Sequence, residues 1–465
     1  MNLPIYTYVD ILHYFGAFFN SKVDFFYEKL YNSLKSEAET SIMKENQQLF
    51  EFIRKSPSAY HTVDTVKSLL ISEGYTELSP MENWKDRPSG KYFTVKNGTS
   101  LIAFRTRKCN KGFMIVASHS DSPAFRLKLG EETVGAYTRI STEKYGGMIH
   151  YTWLDRPLSL AGRVVVKTDK GLKSCLVNLD KDIATIPSVA IHLNRGVNEG
   201  YKFNPATDLQ ALVGSAEAKG SIISEIARMA DTAPENIVSH DLFLYNRDEG
   251  KVFGVKDEYI LSPRLDDLEC VFSSLMGFLS ADESESVPVL AIFDNEEVGS
   301  ETKQGAASTF LYDTLSAIAG DSYRSMLANS FMVSADNAHA KHPNHPELSD
   351  AENAPIMNGG IVIKWNANQK YTTDAVSDSV FKTVCERANV KTQTYYNRAD
   401  MPGGSTLGSI ANTKVSIPTV DIGLAELAMH SANETAGAYD VDAMISAITE
   451  FYSTTMLKKG TKVYI

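Results

Sequence analysis

Histidine and acidic side chains follow four apolar runs of this sequence, each at the point where the run ends. Such runs are typical of buried strands, and open α/β sheets bind ligands at the carboxyl ends of their strands. The side chains are His119 and Asp121 after residues 113–118, Asp294, Glu296 and Glu297 after 287–293, Asp336 and His339 after 331–335, and His430 soon after 420–423. A further pair, Asp266 and Asp267, opens a predicted helix. We therefore expect these groups to converge on one edge of a sheet.

These residue types indicate a metal site. A single His or Asp after a strand is usually a loop residue or a helix N-cap. Four strand ends with such residues in one chain favour a common site. Histidine and carboxylate ligands without cysteine suit zinc, cobalt or manganese. Two histidines and several acids are more than one tetrahedral ion requires. The sequence therefore predicts two ions that share a bridging carboxylate.

The adjacent acids Glu296 and Glu297 are expected to have different tasks. Neighbouring residues of an extended chain point to opposite sides, so one carboxylate can hold a metal ion while the other faces the attacking water. The second acid would then act as the general base that removes a proton from this water. A solvated acidic turn is the alternative, which the apolar strand before the pair disfavours.

The order of the apolar runs predicts an α/β protein with a β-rich insertion. Strands and helices alternate after residue 258, with helices at 265–279, 374–388 and 439–457, which is typical of a mainly parallel sheet covered by helices on both faces. Residues 125–257 contain short β-branched runs broken by Gly, Asp and Lys. We predict one α/β domain over 41–124 plus 258–465, an inserted β-rich domain over 125–257, and an N-terminal extension of unknown role over 1–40.

Composition and charge exclude several classes of protein. The net charge of −11 argues against nucleic acid and anionic membranes as main partners. The aromatic-rich N-terminus lacks a basic region and is interrupted by Asp10 and His13, so neither a signal peptide nor a membrane anchor is predicted. We expect it to pack on the protein body or on a neighbouring subunit. Four scattered cysteines without a C-x-x-C pair suit a reducing compartment and predict a cytoplasmic protein.

Five sequence blocks resemble those of the aspartyl aminopeptidase and aminopeptidase I family of zinc metalloaminopeptidases, and they occur in the family's order. The blocks are His119-Ser-Asp-Ser-Pro, Pro263-Arg-Leu-Asp-Asp, Asn295-Glu-Glu-Val-Gly-Ser, Asp336-Asn-Ala-His-Ala-Lys-His-Pro-Asn and Ala428-Met-His-Ser. The segments 152–156, 190–195 and 363–366 are also similar, and the resemblance covers residue 45 to the C-terminus. It implies a three-layer, zinc-exopeptidase-like fold.

The resemblance also implies a role for each matching residue. Asp266 would bridge two divalent ions, with zinc favoured over cobalt or manganese. The other implied roles are His119 and Asp336 at one ion, Glu297 and His430 at the other, Glu296 as general base, His192 at the active site of a neighbouring subunit, and Lys364 in the specificity pocket. Metal contact stays open for His192. Asp267 stands where Asn is common in the family and Asn337 where Met is common, which affects groups behind the ligands rather than the ligands themselves.

The activity that the resemblance implies is removal of N-terminal residues from peptides by a homo-dodecamer built from dimers. Lys364 favours acidic N-terminal residues, but its stem would also suit a neutral residue such as Leu, and the family contains both preferences. A di-zinc deacylase or carboxypeptidase is one alternative, and it would need a basic group for a C-terminal carboxylate. A non-catalytic storage homologue is another, and it would be expected to lack a ligand or the base.

Overall fold

The structure is a computed structural model that describes residues 42–82, 84, 88–107 and 110–465. The predicted N-terminal extension lies outside these residues, as does Cys109. Within them the chain forms sheets of nine, six and five strands and a two-stranded hairpin. None of the helices in this part of the chain combines the length and the apolar character that crossing a bilayer requires.

The nine-stranded sheet is built around four parallel, fully buried strands. Strand Phe113–His119 lies between Val287–Phe293 and Phe331–Ala335, and Thr419–Gly423 pairs next. All four are buried on both faces, which explains why their sequences are continuously apolar. From edge to edge the strands are Thr76–Glu77, Gly90–Lys96, Ser100–Thr106, Val287–Phe293, Phe113–His119, Phe331–Ala335, Thr419–Gly423, Ile361–Trp365 and Thr392–Tyr396. The strands predicted at 113–118, 287–293 and 331–335 are confirmed.

Helices cover both faces of this sheet. Successive side chains of a strand point to opposite faces, so Met114 belongs to one apolar core and Ile115 to the other. The first core also takes in helices Leu265–Ser280, Ala375–Arg387 and Asp440–Ser453, and the second takes in Phe310–Ala319 and Leu407–Asn412. The predicted three-layer α/β architecture with a mainly parallel sheet is therefore confirmed.

A wholly antiparallel sheet is formed by residues between 124 and 246. In spatial order its strands are Gly171–Asn178, Leu158–Thr168, Ile237–Asn246, Ala124–Val134, Tyr137–Tyr145 and Ala211–Ser215. Leu160, Val164 and Leu244 are buried in a separate apolar core, which also holds Ile222 and Ile226 of helix Ser221–Met229. The β-branched runs in this stretch thus pack against each other and against one helix.

Shorter elements connect these layers. The five-stranded sheet consists of Lys251–Phe253, Tyr259–Ser262, Glu434–Gly437, Ala425–Leu427 and Ala338–His339. The remaining helices are 42–55, Ala59–Ser72 and Tyr323–Leu327, with 3-10 turns at His150–Trp153, Ala216–Ala218, Pro234–Asn236, Glu296–Val298, Gly320–Ser322 and Pro346–Leu348. Gly74 follows the second of these helices with φ +81°, and the N–H of Tyr75 donates to Leu70 O, which ends the helix.

One predicted helix is shorter than expected. The helix predicted over 439–457 ends at Ser453, and Leu457–Lys459 instead pairs with Lys462–Tyr464 in a hairpin. The hydroxyls of Ser453 and Thr454 donate to carbonyl oxygens four residues back, and Thr454 is extended, with φ −86° and ψ 143°. Side-chain bonds of this type compete with helical backbone bonds and help to end the helix.

Candidate metal centre

Asp266 lies between two histidines at the carboxyl edge of the central sheet. Its Oδ1 is 3.3 Å from His119 Nε2 and its Oδ2 is 3.2 Å from His430 Nε2. Glu297 Oε2 is 3.3 Å from the same nitrogen of His430. One carboxylate therefore faces an imidazole on each side, which is the arrangement that a bridging ligand requires.

The candidate ligand atoms of the described residues form three overlapping groups. Within each group every ligand atom lies within 4.8 Å of the others. The first group is His119, Asp266, Asp267 and Asp336, and the second is Asp266, Glu297 and His430. A third group joins His119 to Glu296 and Glu297. The structure thus brings together the five predicted ligands and the predicted base, and it adds Asp267.

The oxygens of this cluster fit a cation. Asp266 Oδ1, Asp267 Oδ1 and Glu297 Oε1 are sealed from solvent without a hydrogen-bond partner. Burial, reinforced by the charge of Asp266, raises the pKa of Glu297 well above its ordinary value. Buried carboxylates left in this condition are costly unless a positive charge meets them. A divalent ion among these ligand atoms would supply both the charge and the missing partner.

Each histidine presents the same nitrogen to the cluster because its other nitrogen is occupied. His119 Nδ1 is 3.0 Å from the carbonyl oxygen of Asp121, and His430 Nδ1 is 3.1 Å from that of Gly147. A carbonyl oxygen can only accept, so Nδ1 carries the proton in both rings. Nε2 then keeps its lone pair for a metal, as metal-ligating histidines usually do.

The loop that carries the two glutamates differs from the expectation. Glu296 and Glu297 lie in a 3-10 turn, so the premise of an extended pair is wrong. Asn295 before the turn has φ +64°, and the two carboxylate oxygens of Asp121 accept hydrogen bonds of 3.2 Å from the N–H groups of Glu296 and Glu297. Because consecutive N–H groups share one anionic acceptor, the chain is held in a tight turn instead of a strand.

Glu296 has the surroundings of a proton acceptor. Burial raises its pKa to about 8, with the charge of His119 opposing this shift and that of Asp336 adding to it. A general base works best when its pKa is near the operating pH. Position and proton affinity therefore fit the predicted role.

Lys364 lies beside the cluster, whereas His192 does not. Lys364 Nζ donates to the carbonyl oxygens of Asp336 and Asn337, at 2.6 and 3.1 Å, and is 3.8 Å from Asp336 Oδ2. Its side chain is 3% exposed. His192 is exposed on the β-rich part of the chain, and no ligand group found among the described residues contains it.

The two departures from the family pattern hydrogen-bond to groups in and around the cluster. Asp267 Oδ2 accepts a 3.0 Å hydrogen bond from the N–H of His119. The Asn337 side chain donates to Glu269 Oε2 and Glu426 Oε2, at 3.0 and 3.3 Å. Asn337 thus donates one hydrogen bond to each of two buried acids, which an apolar methionine could not do.

Sequence reasoning missed two groups that hold the site. Glu434 accepts from the N–H groups of Asp266 and His430, at 3.0 and 2.7 Å, and so ties the two loops together. The Tyr145 hydroxyl donates to Asp121 Oδ2 at 2.6 Å. Nothing in the sequence singles out Glu434, because its burial is visible only in the structure, where acids are rarely buried without a partner.

A three-layer α/β sheet with histidine and carboxylate ligands gathered at its carboxyl edge defines a metallohydrolase of the exopeptidase type. The model of the aminopeptidase I zinc metalloprotease (M18) family matches residues 52–452. The chain belongs to this family and is a metalloaminopeptidase, a hydrolase of peptide bonds. The resemblance seen in the five sequence blocks is confirmed.

Relatives and solved structures agree with this assignment. Proteins named probable M18 family aminopeptidase 2 are similar along their length: that of Clostridium acetobutylicum is 44% identical, covering 88% of this chain and 98% of the relative. That of Pseudomonas aeruginosa PAO1 is 35% identical, covering 89% and 99%. A chain in the cryo-EM structure of the Ape4 and Nbr1 complex has a TM-score of 0.86 at 33% identity, covering 89% of this chain and 86% of that one. The S. cerevisiae mApe1 dodecamer has a TM-score of 0.77 at 28% identity, covering 88% and 96%.

Proposed function

We propose that this protein is a di-zinc aminopeptidase that removes single residues from peptides with a free N-terminus. The observation that carries the proposal is Asp266, whose two oxygens face His119 and His430 within two overlapping ligand groups. His119 and Asp336 would complete one site, and Glu297 and His430 the other. When bound, two zinc ions would activate water and polarise the scissile carbonyl. Cobalt or manganese would suit the same ligands.

The chain's own residues transfer the proton and position the groups of the site. Glu296 takes a proton from the attacking water and passes it to the leaving amine. Asp121 fixes the backbone of this base through the N–H of Glu296, and the Nδ1 bonds of the two histidines keep both rings oriented. The substrate's free α-amine would bind at one of the two metal positions, which would confine cleavage to N-termini.

The finer proposal is a preference for acidic N-terminal residues, with Lys364 as the charge partner. Its two hydrogen-bond acceptors are neutral carbonyl oxygens, and a substrate carboxylate would compete for the ammonium charge with Asp336 Oδ2, which is 3.8 Å away. The 3% exposure of Lys364 is the observation that favours the alternative, a pocket for neutral residues such as Leu. In that case the ammonium would contact only the Asp336 carboxylate and the carbonyl oxygens of Asp336 and Asn337.

A panel of aminoacyl chromogenic substrates with zinc, cobalt and manganese tests the activity. We expect hydrolysis only of substrates with a free amine. Equal hydrolysis of N-acetylated substrates would favour a deacylase or carboxypeptidase, and hydrolysis of none would favour a non-catalytic homologue. Comparing kcat/KM for Asp, Glu and Leu substrates in wild type and Lys364→Met tests the preference. Equal rates on Asp and Leu in the wild type would end the acidic proposal.

The proposed organisation has an inserted domain at 125–257 in a catalytic domain of 41–124 plus 258–465. We assign the insertion to oligomerisation and substrate contact, with His192 reaching the active site of a neighbouring subunit in a dodecamer built from dimers. Val189, Ile191 and Leu193 beside it are 54%, 47% and 84% exposed, and exposed apolar patches mark interfaces. The similar S. cerevisiae mApe1 is a dodecamer.

We place the protein in the cytoplasm, with peptides rather than nucleic acid or membranes as partners. Cys175, Cys270 and Cys385 are unpaired thiols, which suits a reducing compartment. The net charge of −11 disfavours polyanionic partners. Fractionation of the native host cell would test the location.

A further inference from the structure

Three consecutive residues at the end of strand Tyr137–Tyr145 contact separate parts of the metal centre. Tyr145 is the last residue of this strand in the antiparallel sheet, and Gly146 and Gly147 follow it directly, outside the layers that carry the ligands. We propose that this segment, 145–147, positions the general base and the Glu297–His430 ligand pair, so that this half of the site forms only when the antiparallel sheet is docked. The inference rests on the proposed di-zinc function.

Tyr145 acts through Asp121. Its hydroxyl donates to Asp121 Oδ2 at 2.6 Å and accepts from Asn295 Nδ2 at 2.8 Å. Asp121 in turn accepts from the N–H groups of Glu296 and Glu297. The phenol therefore contacts both the residue before the glutamate turn and the carboxylate that holds the turn. Tyr145 is a positioning residue for the base.

Gly146 leaves the space that the Glu297 side chain needs. Its φ is +79°, and a Cβ at this position would lie 3.2 Å from Glu297 Cβ and 3.3 Å from Glu297 Oε2. These distances are shorter than ordinary van der Waals contacts. A side chain at residue 146 would therefore push the Glu297 carboxylate away from His430.

Gly147 and the residues after it hold His430. The carbonyl oxygen of Gly147 accepts from His430 Nδ1, and the N–H of Ile149 donates to His430 O at 3.0 Å. His430 has φ +66°, a conformation that a residue with a side chain keeps only when its surroundings impose it. The ring of this ligand is thus fixed by the segment 145–147 and its backbone by Ile149, two residues further on.

The two halves of the site differ in how much they depend on the segment 145–147. His119 ends a central strand, Asp266 opens helix Leu265–Ser280, and Asp336 follows strand Phe331–Ala335. The Glu297–His430 pair lies in loops that the segment 145–147 contacts. A substitution in this segment should therefore remove the ion from the Glu297–His430 position and leave the ion at the His119–Asp336 position.

The first test is the zinc content of Gly146→Val, measured after loading the full-length protein with zinc. The matched control is Gly74→Val, because Gly74 has nearly the same φ, +81°, with no heavy atom within 4 Å of its Cβ position. Both variants carry the same backbone strain. We expect two zinc ions per chain in wild type and control, and one in Gly146→Val. Two ions in Gly146→Val, or one in the control as well, would overturn the inference.

The second test is Tyr145→Phe, a smaller change that keeps the ring. We expect kcat to fall by about 10- to 100-fold, as for other residues behind metal ligands, with KM and zinc content unchanged. Tyr137→Phe is the control, since Tyr137 begins the same strand and is 61% exposed. An unchanged kcat in Tyr145→Phe would refute its positioning role. A wild type without two zinc ions or without aminopeptidase activity would instead refute the proposed function.

Discussion

Glu296 and Glu297 are chemically identical neighbours with different surroundings. Glu297 belongs to two ligand groups and faces His430, whereas Glu296 belongs to one. We predict that Glu296→Gln keeps the fold and both metal ions but lowers kcat by about 100-fold or more, because the amide cannot accept the proton. Steady-state kinetics and metal analysis of the same preparation measure both effects.

Glu297→Gln is the matched variant for this prediction. It removes the same charge one residue away, and we expect it to lose metal. If Glu296→Gln lost metal and Glu297→Gln kept it, the two roles would be reversed.

Asp267 brings a third carboxylate to the group of His119, Asp266 and Asp336. In Asp267→Asn the amide oxygen can still accept from the N–H of His119, so the variant removes the charge and leaves that bond. We predict that metal affinity at this group falls by about 10- to 100-fold, the usual effect of altering a group next to a metal ligand.

Chelator competition followed by metal analysis measures this affinity. Glu269→Gln is the control, since Glu269 is a fully buried acid two residues further on that belongs to none of the ligand groups in the described chain. Equal affinity in Asp267→Asn and wild type would show that the charge of Asp267 does not act on the metal.

At the residue scale, the sequence predicted groups that follow apolar strands and missed groups that reach the site from elsewhere. His119 and Asp336 are visible because each comes directly after a continuous apolar run. Gly147 is not, because it lies 283 residues from His430 and contributes only a backbone oxygen. Periodicity describes local structure and carries no information on such distant contacts.

Elements were predictable where burial dictates composition. Strand Val287–Phe293 has the predicted bounds, and the helix predicted over 265–279 spans Leu265–Ser280. The first turn of that helix departs from helical geometry at Asp266, with ψ 107°. Propensity gives no sign of this departure, because it serves contacts of the Asp266 N–H and carboxylate with Glu434, His119 and His430.

Helix Ala375–Arg387 offers a test of an element remote from the chemistry. Its N-cap, Asp374, accepts from the N–H groups of Val376 and Ser377, and the Ser377 hydroxyl accepts from the N–H of Asp374. We predict that Asp374→Ala lowers stability by about 1 kcal/mol, seen as a lower unfolding midpoint, with kcat and metal content unchanged. Asp374→Asn should retain most of the stability, because asparagine caps helices equally well. An equal loss in both variants would contradict the capping explanation.

At the scale of the whole molecule, His192 is exposed and belongs to none of the ligand groups that the described residues of one chain form. Its neighbours Ile191 and Leu193 are exposed, and neither belongs to an apolar core formed by the described residues. Burial against a second subunit would remove this apolar surface from water. We predict that the native protein sediments at about twelve times the 51.3 kDa mass of the chain, as a closed symmetric assembly. A fully active 51.3 kDa monomer would contradict the shared site.

Co-assembly of two impaired variants, His192→Ala and Glu296→Gln, tests the shared site directly. Each variant alone lacks one group at every site. In a mixed assembly, a site in a His192→Ala subunit keeps Glu296 and can receive His192 from a Glu296→Gln neighbour. We predict recovery to about a quarter of wild-type activity at equal expression, since half of the sites carry the base and half of their neighbours carry the histidine. If His192 acts within its own chain, co-expression restores nothing, because no chain then carries both groups.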